Sequence, residues 1–107
     1  MTELRKLWTD ALPPFPEADV AAVRARAGER TAEVCACFWL YRYLHRCPTP
    51  DAVLMGDACF ARFSRHLAAL DDVALTDRFA EYLRQDTLEP KPFSDFLAFA
   101  GETGGAA

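Results

Sequence analysis

The chain has 107 residues, 51% of them hydrophobic and 26% charged, with a net charge of −4 and a pI near 5.1. That length holds one domain at most. The apolar fraction excludes a disordered chain, and the acidic balance offers no clustered positive field for nucleic acid.

Taken in order, the segments read almost throughout as helix, so the expected fold is all-α, a small bundle of about five to six helices. Residues 3–12 suit a short amphipathic helix with Leu4, Leu7, Trp8 and Leu12 on one face, ended by PPFP at 13–16, because proline has no amide donor and disfavours helix in the residue before it. A second helical stretch runs from near Glu17 to about Arg46, with Gly28 dividing it into 18–27 and 30–46. The latter half, RTAEVCACFWLYRYLHR, is apolar on most of its circumference. Val34, Phe38, Tyr41 and Leu44 lie on one side, and Cys35, Trp39 and Tyr43 on another. A helix of that kind is buried on more than one side.

The next helix starts at CPTPD, 47–51. Thr49 is a good N-cap, Pro50 fits the first helical position and Asp51 suits the positive end of the helix dipole. Val53, Gly56, Phe60, Phe63, Leu67 and Leu70 then recur in steps of three and four, predicting a single apolar face. LDDV at 70–73 caps a further helix through about Gln85, with Leu75, Phe79, Tyr82 and Leu83 inward, and EPKP at 89–92 breaks it. FSDFLAFAG forms the last element, capped by Ser94 and ending near Gly101. The expected organisation is one domain over 1–107, with an N-terminal helix and Pro-rich linker at 1–16 and a helical core at 17–107.

The longest apolar run, VCACFWLY at 34–41, is far short of the roughly 20 residues that span a bilayer. The N-terminus lacks the apolar core of a signal peptide, so the expectation is a soluble cytoplasmic protein with no transmembrane segment. The four cysteines, at 35, 37, 47 and 59, are then expected as reduced thiols. Cys35 and Cys37 sit two apart in a helical pattern, about 200° from each other around the axis, which disfavours their chelating one ion. No metal is expected in this chain.

Other polar groups have ordinary readings. Asp71, Asp72 and Asp77 in DDVALTD have the composition of a Mg²⁺ cluster, but helix capping by the first two and solvation of the third beside Arg78 explain all three. His66, with Arg62 and Arg65, suits an exposed polar flank. Arg42 and Arg46 suit the negative end of their helix. No catalytic residue stands out, because no serine or cysteine has a histidine and carboxylate pattern and no glycine-rich phosphate loop is present.

The pair Gly56–Asp57 is the anomaly. Glycine inside a helix costs about 1 kcal/mol relative to alanine, and aspartate is costly to bury without a partner. On the predicted face, Gly56 permits close approach of a neighbouring helix, and Asp57 is placed to hydrogen-bond across to it.

The stretch AVLMGDACFARFSRHLAALDDVALTDRFAEYLRQ, residues 52–85, resembles the second conserved stretch of the trans-isoprenyl diphosphate synthases. Those proteins carry a helix of the form hydrophobic–Gly–Asp–x₂–hydrophobic–Ala–x–hydrophobic, matched here by Gly56, Asp57, Phe60, Ala61 and Phe63. FSDFLAFAGETGGAA at 93–107 looks like the family's next helix, with Thr103 and Gly104 at its Thr-Gly positions. Glu102 stands where catalytic members usually have Lys. The first aspartate-rich motif is missing ahead of the Gly-Asp pair, where YLHRCPTPDAVLMGD offers one candidate aspartate, Asp51, besides the pair itself, and DDVALTD falls after that helix. Such a chain is most similar to the small, non-catalytic component of two-component heptaprenyl or hexaprenyl diphosphate synthases.

The resemblance covers about 70 residues, from near Arg30 onward, and implies a division of labour. A larger catalytic subunit with the aspartate-rich motifs would hold Mg²⁺ and join isopentenyl diphosphate to an allylic diphosphate. The small component would pack on it, complete an apolar tunnel and help set product length. With eight Phe, three Tyr and two Trp, the chain has apolar surface to spare, since a domain of this size buries only about 60–65% of its unfolded surface. Phe38, Tyr41, Gly56, Asp57, Phe60, Phe63 and Leu67 are the interface or tunnel candidates. The alternatives are a free-standing helical interaction domain that only echoes the Gly-Asp pattern, and a catalytic remnant using Asp71, Asp72 and Asp77, which the motif order disfavours.

Overall fold

Gly28, Thr49, Pro50 and Asp72 set helix ends through their own backbone or capping chemistry. The computed structural model describes the backbone of residues 2–105 and the side chains of residues 4–104. Six helices form among the described residues, with no strand: α1 Thr2–Lys6, α2 Glu17–Ala27, α3 Ala32–His45, α4 Pro50–Leu70, α5 Val73–Leu88 and α6 Phe93–Gly105. Gly28 ends α2 with φ +84°, a backbone conformation in which a side chain is strained. Thr49 caps α4 by accepting the Ala52 amide at 3.2 Å, with Pro50 in the first turn. Asp72 caps α5 by accepting the Leu75 amide at 3.0 Å.

Two ends differ from expectation. The helix predicted over 3–12 stops at Lys6. Beyond it the Trp8 indole N–H donates to the Pro13 carbonyl at 2.7 Å and its ring stacks on Phe15 at 5.1 Å, so the chain folds back instead of continuing straight. Leu4 is buried, but Leu7 is 54% exposed and the expected four-residue face does not form. At the other end, α6 begins before Ser94, with the Pro92 carbonyl accepting the Asp95 amide at 3.1 Å. It then continues through Gly101 to Gly105. Burial of Phe96, Ala100 and Thr103 along one face outweighs the roughly 1 kcal/mol by which glycine disfavours helix.

The core is built around α3. Ten of its residues are buried, and α4 and α2 pack directly on it. Phe38 is the hub, with ring centroids 4.9 Å from Phe63, 5.3 Å from Phe79 and 5.7 Å from Phe96. Large aromatic rings therefore join α5 and α6 to α3, in edge and stacked pairs that add about 0.5–1.5 kcal/mol each beyond their buried area. The α2–α6 contact is of another kind. A Cβ placed on Gly104 would overlap the Ala27 carbonyl, whose carbon lies 2.7 Å away. Here backbone meets backbone.

A buried charge pair closes the far end of α3. Arg42 donates from Nε to Asp86 Oδ2 at 2.7 Å and from a terminal nitrogen to the Lys91 carbonyl at 3.1 Å, while the Lys91 amide donates to Asp86 at 2.7 Å. Burial pushes the Asp86 carboxyl up, but hydrogen bonds from Arg42 and Lys91, with the charges of Arg42 and Arg46, bring it below its usual range. Arg42 thus serves as an interior tie to α5 rather than as a solvated partner of the helix dipole.

Candidate functional site

On α4 the buried face is Ala52, Met55, Gly56, Cys59, Phe63 and Leu67. Only part of the predicted stripe turns inward: Gly56, Phe63 and Leu67 are buried as expected, Ala52, Met55 and Cys59 join them, and Val53 is left 53% exposed. The seven candidate interface residues divide between core and rim. Phe38, Phe63 and Leu67 lie inside the domain's own core, whereas Tyr41 and Phe60 are half-buried, Gly56 is buried at the helix crossing and Asp57 is exposed. Tyr41 and Phe60 touch each other, ring to ring, at 4.8 Å.

Tyr41, Gly56 and Asp57 line one open cavity of about 260 Å³ at the mouth of the α3–α4 crossing, together with His45, Pro48 and Val53. A neighbouring cavity of about 250 Å³ has Arg42, Arg46, Leu83, Asp86 and Pro90 in its wall. Tyr41 and His45 border both, with their rings 5.6 Å apart. The groove therefore has an apolar half and a charged half.

The glycine anomaly resolves only in part. A Cβ on Gly56 would sit 3.6 Å from the Leu44 Cβ and 4.0 Å from the Tyr41 carbonyl, which is ordinary contact. The neighbouring helix is α3, and its approach leaves room for a methyl group. Asp57 makes no hydrogen bond across to α3 among the described residues; its carboxylate sits exposed at the rim of the groove.

The acidic run behaves as capping. Asp71 ends α4 in the left-handed conformation, with φ 50°, and Asp72 begins α5. The Leu75 amide, and then the Arg30 guanidinium at 2.9 Å, hold the Asp72 carboxyl below its usual range. Arg78 reaches Glu102 at 3.1 Å rather than serving Asp77. Thr103 is buried: its hydroxyl donates to the Ala100 carbonyl at 2.7 Å and lies 3.1 Å from the Thr31 hydroxyl. In this conformation it ties α6 to the start of α3 and does not face solvent.

One cluster escaped the sequence reading. Glu33 and Cys37, one turn apart on α3, meet His66 of α4, and their ligand-type atoms all lie within 4.8 Å of one another. Cys37 is buried, Glu33 and His66 are half-buried, and Arg24 pairs with Glu33. Burial pushes the Cys37 thiol up, partly offset by the charges of Arg62 and Arg24. Burial, with Arg65 and Arg62 nearby, moves the His66 ring down from its usual value, favouring the neutral form. The sequence signal is Glu-x₃-Cys, whose spacing of four puts both groups on one helical face, unlike the spacing of two between Cys35 and Cys37. The Cys59 thiol, buried and near Cys37, is pushed up to about 12. All four cysteines are free.

Compared with known proteins, the chain matches no family model, no curated protein and no solved structure. Among the described residues, no helix is long and apolar enough to cross a membrane.

Proposed function

We propose that this chain is a binding component, the small non-catalytic subunit of a two-component polyprenyl diphosphate synthase, which docks through the α3–α4 groove onto a larger subunit bearing the aspartate-rich motifs. The observation that carries the reading is where the resemblance falls. Gly56 and Asp57 line the open groove rather than the aromatic core, and Val53 and Leu54 beside them are 53% and 68% exposed. Apolar side chains left in water next to a cavity favour a partner's surface. The allylic and isopentenyl diphosphates, with Mg²⁺, would belong to the larger subunit, and this chain would border the apolar path of the growing product.

A second reading, a free-standing helical interaction domain, is favoured by α3 itself. Its apolar circumference, which suggested surplus surface in the sequence, is covered within the domain. Co-expression with an aspartate-motif synthase subunit separates the two. The synthase reading expects co-purification, isopentenyl incorporation only when both chains are present, and at least tenfold weaker association for Val53→Lys with Leu54→Lys at unchanged helicity. No association, or full activity of the larger chain alone, overturns it.

A further inference from the structure

We propose that Glu33, Cys37 and His66 form a site for a single Zn²⁺ ion beside the α3–α4 crossing. This is independent of the partner reading, since the cluster includes none of the groove residues.

The placement is a consequence of helix geometry. Residues four apart share a face of a helix, so Glu33 and Cys37 present a carboxylate and a thiol one above the other on α3. The packing of α4 brings the His66 ring to them, with all three ligand atoms within 4.8 Å of one another. Donors around a tetrahedral zinc lie about 3.4–3.8 Å apart, given bonds of about 2.0–2.3 Å, so closure requires side-chain adjustments of about an ångström or less. Glu33 and His66 are half-buried and reach the surface, which leaves a route in, while Cys37 anchors the inner side.

The donor types select the metal. Thiolate, imidazole and carboxylate together suit zinc and related borderline ions, whereas Mg²⁺ and Ca²⁺ take oxygen. Three protein donors leave a fourth position for water, the arrangement of an open zinc site. Binding forms an Sγ–Zn bond and releases the Cys37 thiol proton to solvent, with no change of oxidation state. Without metal, Arg24 neutralises Glu33. Its side chain is 38% exposed, so the guanidinium can swing into water when the ion takes its place.

The test uses the full chain, stripped of metal and with thiols reduced, and Co²⁺ or Zn²⁺ alone as probes. One Co²⁺ per chain is expected, with a thiolate-to-cobalt charge-transfer band and tetrahedral ligand-field bands, all displaced by stoichiometric Zn²⁺. His66→Ala, at the rim, should keep native helicity and lose at least tenfold in affinity. Cys37→Ala should lose the charge-transfer band, and Cys47→Ser should retain it. Arg24→Gln should bind several-fold tighter, because Glu33 no longer has to leave that ion pair. Absence of stoichiometric binding at micromolar metal, undiminished affinity in His66→Ala, or a band that follows Cys47 overturns the site. Unchanged or weaker binding in Arg24→Gln overturns the competition between Arg24 and the ion for Glu33. Should Cys37→Ala fail to fold, the stoichiometry and the His66→Ala affinity decide the question.

Discussion

The α3–α4 and α2–α6 crossings each contain a helical glycine, and the two glycines do different things. At α3–α4, side chains fill the space between helices, and Gly56 could carry a methyl group at 3.6 Å from the nearest atom. At α2–α6, the Ala27 carbonyl occupies the place where a Gly104 side chain would stand. A glycine that looks anomalous in a sequence is therefore not the same as a glycine the packing requires. What separates them is whether the facing helix offers side-chain ends, which can shift, or backbone, which cannot.

The comparison can be broken at several points. Phe38→Ala should have the largest effect, because it removes the ring on which α4, α5 and α6 converge. A loss of about 3–5 kcal/mol is expected in urea unfolding, and a loss below 1 kcal/mol would show that the side-chain-built half is less tightly packed than described. Gly104→Ala should cost about 1–3 kcal/mol by forcing α6 off α2, seen as a lower melting temperature; neutrality would remove the backbone contact from the account.

Acid should next separate the two halves, since a buried ion pair closes the end of α3. Asp86 has a folded pKa below its usual 3.8. Its contribution is thus complete above the unfolded value and is lost as pH falls through the folded one. The stability gap between the native chain and Asp86→Asn should narrow below pH 3.8, and a gap constant with pH would contradict the pairing. The smallest effect has the opposite sign. Gly56→Ala should stabilise the chain by about 0.5–1 kcal/mol, and destabilisation would restore the close approach expected from sequence.

Much of the backbone was legible because its signals are local. Gly28, Thr49, Pro50 and Asp72 each act through their own φ angle, missing amide or capping oxygen, and the helices start and stop beside them. The candidate site was less legible. The seven interface candidates separated into core and rim, and on α4 the buried arc is turned by about 40°, less than half a residue, which keeps Gly56, Phe63 and Leu67 inside, buries Met55 and Cys59 and exposes Val53. The Glu33–Cys37–His66 cluster required both helices at once, because only two of its members share a turn.

The sequence by itself determined the all-helical character, the principal helix ends and the capping roles of Thr49 and Asp72, all set by interactions reaching no more than a few residues. Tertiary structure alone decided which arc of α4 faces α3, that Arg42 meets Asp86 across 44 positions, and that Gly104 rather than Gly56 is sterically required. Those outcomes depend on how helices pack around Phe38, and packing compares whole surfaces, which no short stretch of the chain contains.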